Sequence, residues 1–232
     1  MTGSARQLVL DLPHRQALDA EDFIVTASNT VAVSMIDSWP DWPHPCLVLV
    51  GAAGSGKTHL GNVWRRQSGA QVVSAAALTE ELAAQVGERG PCLVEDADRG
   101  IASERALFHL MNLAREHRAH ILVTGRTSPG GWEVTLPDLV SRLRACPVVS
   151  IEEPDEALLR AVLVKLLVDR QLPATPAAVA FLARHMERSM QAAVALVDEI
   201  DRILWAKPRG MTRPIMKEAL ERVRHRSGGG GA

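Results

Sequence analysis

The chain has 232 residues, a formal net charge of −1 and 47% hydrophobic residues. This length suits one mid-sized domain or a core with a smaller second unit, and the near-neutral charge argues against a protein that binds duplex DNA over a wide basic surface. The cysteines, Cys46, Cys92 and Cys146, are far apart, which favours reduced thiols over a disulfide framework or a zinc site. Because no apolar run reaches the roughly 18–20 residues of a membrane span and no signal peptide is evident, we expect a soluble, cytoplasmic protein without a membrane partner.

Residues 1–20 are small, polar or charged apart from one apolar peptide, which predicts a flexible tail ahead of the folded domain. That peptide, QLVLDLP at residues 7–13, has a leucine at every second position, as one edge of a strand would. No hairpin partner follows it nearby. The residues alone therefore indicate either an edge strand or a hydrophobic segment that packs on its own domain.

Short apolar runs and amphipathic helices alternate after the proline-rich loop at residues 39–45. Helices are predicted from Lys57 onward and from about Ser103 to His117, where apolar residues recur at helical spacing. Such alternation is typical of a parallel sheet buried on both faces, so residues 21–153 are predicted to form an α/β core. The predicted strands are CLVLV (46–50), QVVS (71–74), CLVE (92–95), HILVT (120–124) and PVVSI (147–151).

The segment from residue 154 to 226 is predicted to be entirely helical, as a four-helix unit that follows the core. Thr175 before Pro176 is a helix cap followed by proline at the first helical position, where no N–H is needed. Ser189 can cap a third helix, and Pro214 opens the last one. Residues 227–232, mostly glycine, are predicted to be a disordered tail.

The stretch GAAGSGKT at residues 51–58 matches the phosphate-binding pattern G-x-x-x-x-G-K-[ST] between an apolar strand and an amphipathic helix. Its glycines let the backbone N–H groups turn toward a phosphate, the lysine places a charge on the β and γ oxygens, and the threonine hydroxyl can bind Mg²⁺. We therefore expect ADP or ATP with Mg²⁺. The predicted nucleotide-binding residues are Gly51, Ala52, Ala53, Gly54, Ser55, Gly56, Lys57, Thr58 and His59.

Acidic and polar residues end two of the predicted strands. Glu95 stands where the Mg²⁺-side acid of a nucleotide site is expected, and Asp96 where a water-activating acid could stand. Asp normally comes first in this pair, so the Glu–Asp order argues for weak intrinsic hydrolysis. Thr124 can hold the γ-phosphate or the attacking water, although a threonine that only finishes its own turn is the alternative. The alternative for Glu95 and Asp96 is that both are solvated loop acids without a role at the site. For Asp98 that interpretation is the preferred one.

A P-loop, an acidic strand end, a polar strand end and then a helical segment follow one another in the order that is typical of an AAA+ ATPase. The predicted fold is therefore α/β: a P-loop AAA+ parallel-sheet core with a C-terminal all-helical lid subdomain. The segments DFIVTASN, GKTHL, LPDLVSRL and IEEPDEALLRAVL resemble the AAA+ segment of the DnaA family over residues 7–223. The resemblance is stronger to the shorter Hda branch, whose members bind the β sliding clamp through a peptide similar to QLVLDLP. The sequence also leaves no room after the lid for the helix-turn-helix domain of the initiator itself.

The resemblance implies a negative regulator of replication initiation. Bound to the clamp, such a protein presents an arginine to the ATP held by the DnaA initiator, and in the SRL motif that arginine is Arg142, with Arg144 the neighbouring candidate. The implied partners are the clamp, DnaA and, indirectly, the DNA inside the clamp; a homo-oligomer stays open. The implied clamp-binding residues are Gln7, Leu8, Leu10, Leu12 and Pro13.

One position departs from the family pattern. The lid usually carries a nucleotide-sensing arginine in the segment that matches ERSMQAA, where this sequence has Gln191, with Arg188 one turn earlier. Either Arg188 takes over or sensing is weakened. Other functions stay open: a helicase-loader-type ATPase with its own hydrolysis cycle, or a scaffold stabilised by its nucleotide. A basic cluster near the end is predicted to be solvated cations at a helix C-terminus, with contact to DNA as the alternative: Arg222, Arg224, His225 and Arg226.

Overall fold

A computed structural model of the protein describes residues 24–206 and 210–228. The predicted tail and its clamp-binding peptide at residues 7–13 lie outside the described residues, as do residues 229–232. The described part divides into two compact units, one of residues 27–153 and one of residues 154–228 together with residues 24–26. Within the described residues, no helix has both the length and the apolar character needed to cross a membrane.

The first unit is built on a five-stranded parallel sheet, with the strands in the order β2-β3-β4-β1-β5. The predicted α/β class is thereby confirmed. Three strands have their predicted bounds, and β4 and β5 differ from theirs by one residue at each end. All five residues of the internal strand β1 are buried, as expected for a strand with neighbours on both sides and helices on both faces. The strands are β1 (Cys46–Val50), β2 (Gln71–Ser74), β3 (Cys92–Glu95), β4 (Ile121–Gly125) and β5 (Val148–Ser150).

Five helices surround this sheet, and three of them, α1, α3 and α5, were not predicted. Local signals for two of them are nevertheless present: the Thr79 hydroxyl accepts a hydrogen bond from the Leu82 N–H at 3.2 Å at the start of α3, and Pro137 opens α5. The helices are α1 (Thr30–Asp37), α2 (Lys57–Ser68), α3 (Glu80–Arg89), α4 (Glu104–Glu116) and α5 (Pro137–Ala145).

The strand register decides which loops meet. Val50 at the end of β1 pairs with Gly125 at the end of β4 and with Ser150 at the end of β5. In a parallel sheet the carboxyl ends of all strands lie along the same edge, and in open α/β sheets this edge is where ligands bind. The loop at residues 51–56 and the segment that follows β4 are therefore neighbours.

The second unit is helical, as predicted, and its caps are those that the sequence indicates. The Thr175 and Ser189 hydroxyls accept hydrogen bonds from the N–H groups of Ala178 and Ala192, at 3.3 and 3.0 Å. Leucine, isoleucine, valine and alanine side chains from all four helices form one buried cluster. The helices are α6 (Glu156–Asp169), α7 (Pro176–His185), α8 (Met190–Ala206) and α9 (Arg213–Gly228), the last extending two residues beyond the predicted lid.

The prediction for the basic cluster in α9 is correct in part: its residues are exposed and lie toward the end of the helix, but its arginines bind protein groups and are not free solvated cations. Arg222 and Arg226 form ion pairs with Glu199 of α8, whose side chain is only 1% exposed, at 3.0 and 2.8 Å. Arg224 donates a hydrogen bond to the His185 carbonyl oxygen at 2.7 Å. A buried carboxylate must be paired, and Arg222 and Arg226 are among the partners that neutralise Glu199.

Candidate nucleotide-binding site and a distant arginine

The loop between β1 and α2 has room for no side chain at its first position. A Cβ atom at Gly51 would lie 2.5 Å from the Ile151 carbonyl oxygen and 2.7 Å from Ser55 Oγ. Gly54 and Gly56 adopt φ values of 73° and 110°, which L-residues with side chains rarely reach. These glycines allow the loop to curl into the α2 N-terminus, as the phosphate-binding motif requires.

Lys57 is 8% exposed, and its ammonium group lies inside the curl of the loop. Its Nζ donates hydrogen bonds to the carbonyl oxygens of Gly51 and Ala52, at 2.6 and 2.9 Å. Burial lowers the pKa of Lys57, while the charges of Asp96 and Asp98 raise it. The lysine is therefore a poorly solvated cation held by neutral carbonyls, an arrangement that favours an anionic ligand.

Two observations show that these residues fit a nucleotide phosphate. Ser55 is 4% exposed, and within the described part of the chain its hydroxyl has no hydrogen-bond partner, although buried hydroxyls are usually paired. Thr58 is exposed in the first turn of α2, where the backbone N–H groups and the helix dipole favour negative charge. Phosphate oxygens could accept from Ser55, Lys57 and the loop N–H groups. Partial desolvation, followed by the charge of Arg66, lowers the pKa of His59 in the same turn.

The polar residues at the ends of β3 and β4 come together as the sequence predicts. The Asp96 N–H donates to Thr124 Oγ1 at 3.1 Å, and Asp96 has a φ of 57°, in the left-handed region. Since a hydroxyl both donates and accepts, the Thr124 O–H is still able to donate to a phosphate oxygen or a water. Burial, followed by the charge of Asp96, raises the pKa of Glu95. Arg99 lies 3.7 Å from the Asp96 carboxylate.

The fold brings two further charged residues near this edge that the sequence prediction missed. Asp98 was expected to be a solvated loop acid, but its Oδ1 atom is buried and has no partner among the described residues. Arg126 follows directly after β4, and its positive charge lowers the pKa of Lys57. The sequence does contain a signal for Arg126, because this residue lies just beyond the strand end that carries the polar Thr124.

The predicted Mg²⁺ ligands are Thr58 and Glu95. Among the described residues, no group of three or more histidine, cysteine or acidic side chains could hold a metal ion. Mg²⁺ in nucleotide sites usually binds one or two protein oxygens together with substrate phosphates and water. The Thr58 hydroxyl in the first turn of α2 and the Glu95 carboxylate at the end of β3 are oxygen donors of the kind suited to that role.

Arg142 lies at the amino-terminal ends of the strands, whereas the phosphate-binding loop lies at their carboxyl-terminal ends. It belongs to the last turn of α5 and lines a small cavity beside Cys46 and Ile121, the first residues of β1 and β4. Each strand residue advances about 3.3 Å, so the five residues of β1 place about 13 Å between the two edges. Arg142 is therefore remote from the nucleotide site of its own chain.

Neutral groups of α4 hold the Arg142 side chain. Its Nη2 donates to Asn112 Oδ1 at 3.2 Å, and its Cζ lies 5.9 Å from the centre of the Phe108 ring. No described carboxylate forms an ion pair with it. The neighbouring Arg144 is exposed. Neutral groups thus fix the orientation of the Arg142 side chain, and no described carboxylate neutralises its charge.

The other predicted sensing residues belong to the second unit. Arg188 lies in the turn before α8 and Gln191 in its first turn, and both side chains are exposed. The clamp-binding prediction, Gln7 to Pro13, lies outside the described residues. These assignments remain predictions.

Comparison with solved structures shows what the fold is. Domain III of the Thermotoga maritima replication initiation protein DnaA matches with a TM-score of 0.74 and 19% identity, over 88% of this chain and 95% of that one. AMPPCP-bound DnaA from Aquifex aeolicus matches with a TM-score of 0.64 and 18% identity, over 82% and 65%. The Thermotoga maritima RuvB Holliday junction branch migration motor matches with a TM-score of 0.62 and 17% identity, over 76% and 61%. No family model matches the chain. The chain has the AAA+ fold, of the form seen in DnaA and RuvB.

Proposed function

We propose that this protein is an Hda-type negative regulator of replication initiation. It holds a nucleotide in its own AAA+ core, binds the β sliding clamp and stimulates the hydrolysis of ATP bound to the DnaA initiator. The AAA+ fold, the likeness to DnaA domain III and the sequence motifs shared with the DnaA family support this proposal.

The position of Arg142 carries the proposal. An arginine at the far edge of the sheet does not reach the nucleotide of its own chain, but it can enter the site of another molecule. Its hydrogen-bond partner is the neutral amide of Asn112, so its charge stays available. A guanidinium inserted in trans neutralises charge on the phosphoryl group being transferred, an effect of about 10³–10⁵ in rate in other NTPases.

The protein's own nucleotide has a structural and switching role in this proposal. The loop N–H groups, Ser55 and Lys57 would bind the phosphates, and Mg²⁺ beside Thr58 and Glu95 would neutralise phosphate charge when bound. Glu95 occupies the position where Asp is usual, which favours slow hydrolysis and long retention of ADP. The N-terminal peptide recruits the protein to the clamp, and the clamp places it on DNA near DnaA.

A helicase-loader-type ATPase with its own hydrolysis cycle is the second candidate. The observation in its favour is that Lys57, Asp96 and Thr124 are gathered at one edge of the sheet, with a hydroxyl proton available for a phosphate or water. In that case Arg142 would act on a neighbouring copy of the same protein. The two candidates differ in whose ATP is hydrolysed.

The deciding experiment measures hydrolysis of radiolabelled ATP pre-bound to DnaA, with the clamp and DNA present. We expect the full chain to stimulate hydrolysis, Arg142→Ala to reduce the stimulation to near background, and Arg144→Ala, the matched control, to retain it. Deletion of residues 7–13 should abolish clamp pull-down without affecting nucleotide binding. Full stimulation by Arg142→Ala would refute the assignment, and rapid ATP turnover by the chain without DnaA would favour the second candidate.

A further inference from the structure

Arg126 stands at a fixed point beside the phosphate-binding loop. Gly125, the residue before it, pairs with Val50, and the Gly125 carbonyl oxygen accepts a hydrogen bond from the Gly51 N–H at 3.2 Å. The first residue of the phosphate-binding loop is thus bonded directly to the residue that precedes Arg126. The end of β4 and the start of that loop cannot move independently of each other.

The chain is anchored on the other side of Arg126 as well. The Trp132 Nε1 group donates to the Thr127 carbonyl oxygen at 2.9 Å, and the Trp132 side chain is 8% exposed. A Cβ atom at Gly125 would come within 2.9 Å of the Trp132 ring, so the indole is packed tightly against this stretch. Both neighbours of Arg126 are therefore held by packing and hydrogen bonds, and the point where its side chain emerges is fixed.

Among the residues that the structure describes, the Arg126 side chain has no ionic partner. It is exposed, and no described residue forms an ion pair or a hydrogen bond with its guanidinium. It lies close enough to Lys57 for its charge to lower the pKa of that ammonium. Two cations at one edge of a sheet repel each other, and an anion between them removes the repulsion.

The location of Lys57 indicates which part of an anion Arg126 would meet. The lysine of this motif reaches the β- and γ-phosphates, so a cation beside it lies near the end of the triphosphate and away from the base and sugar. A guanidinium can bind two phosphate oxygens at once, which an ammonium cannot do with the same geometry.

We infer that Arg126 contacts the γ-phosphate and is the residue by which this site distinguishes ATP from ADP. This inference rests on the proposed nucleotide site and adds to it a means of sensing the nucleotide from the core. It accounts for the neutral Gln191 in the lid, because the charge that the family places there would come from the end of β4.

The test is isothermal titration of the full chain with AMPPCP and, separately, with ADP, in the presence of Mg²⁺. For Arg126→Ala we expect AMPPCP affinity to fall about tenfold or more, from the loss of a hydrogen bond to a charged group, while ADP affinity changes less than about twofold. Arg126→Lys should recover part of the loss. Arg89→Ala, which removes an exposed arginine from the last turn of α3 at the other edge of the sheet, should bind both nucleotides like the wild type.

Retained ADP binding also shows that the Arg126→Ala variant is folded. Equal losses for the two nucleotides, or no loss for either, would overturn the inference and leave the proposed nucleotide site standing. A wild-type chain that binds ADP but not AMPPCP would overturn it too. If the wild type bound neither nucleotide, the proposed nucleotide site would fail and the inference with it.

Discussion

Replacing Asn112 by aspartate tests whether a neutral partner keeps the Arg142 charge available. The substitution changes one terminal group and little of the shape, and it puts a carboxylate where the amide oxygen now accepts at 3.2 Å from Arg142 Nη2. In the proposed mechanism the guanidinium must leave α4 to reach the phosphate of DnaA. An ion pair within the chain would compete with that step.

The size of the effect follows from the geometry. Two unit charges about 4 Å apart attract by about 4 kcal/mol at an effective dielectric constant of about 20. Arg142 is partly exposed, so solvent screening and side-chain entropy reduce the net value to about 1 kcal/mol. A barrier raised by about 1 kcal/mol slows a reaction roughly fivefold at 25 °C.

The assay is the stimulated hydrolysis of DnaA-bound ATP, with Asn112→Ala measured beside Asn112→Asp at low and high salt. The aspartate variant should be slower than the wild type, because its carboxylate still accepts from Arg142 and adds an ion pair that holds the guanidinium on α4. The alanine variant has no such ion pair and should not be slowed in this way. As the salt concentration rises, the rate with the aspartate variant should increase toward the rate with the alanine variant, because salt screens an exposed ion pair. An aspartate variant that is as active as the wild type at both salt concentrations, with an unchanged melting curve, would refute the reasoning.

Three further outcomes concern stability. Trp64→Ala should destabilise the first unit by about 3–5 kcal/mol in urea unfolding, because this fully buried indole stacks on Trp42 at 5.2 Å. Burial raises the pKa of Cys92 to about 12, whereas an unfolded thiol ionises near 9. The free energy of unfolding should therefore fall as pH rises from 9 toward 12, and Cys92→Ala should make this fall smaller in urea titrations at several pH values. Glu199→Gln should lower the melting temperature, whereas Glu187→Gln, at an exposed site, should not.

Local features of this chain were predictable because their causes act over a few residues. The phosphate-binding loop at residues 51–58 depends on glycine conformations and on one lysine and one threonine at fixed spacing. The caps at Thr175 and Ser189 are bonds to backbone groups three residues away. Apolar runs of four or five residues between helices similarly predict the parallel sheet. Helices α1, α3 and α5 were missed, since short segments with mixed apolar and small residues give a weak periodic signal.

Other features depend on residues far apart in sequence. Arg142 and Asn112 are 30 residues apart, and Arg226 and Glu199 are 27 apart, so no local pattern predicts either contact. The burial of Asp98 Oδ1 and the place of Arg126 beside Lys57 likewise follow from strand order and register. By itself, the sequence determined the nucleotide motif and the α/β-then-helical order, because backbone conformation and hydrophobic periodicity are local. Only the tertiary structure decided which charges are paired and which edge of the sheet each one occupies, because those depend on how distant segments pack together.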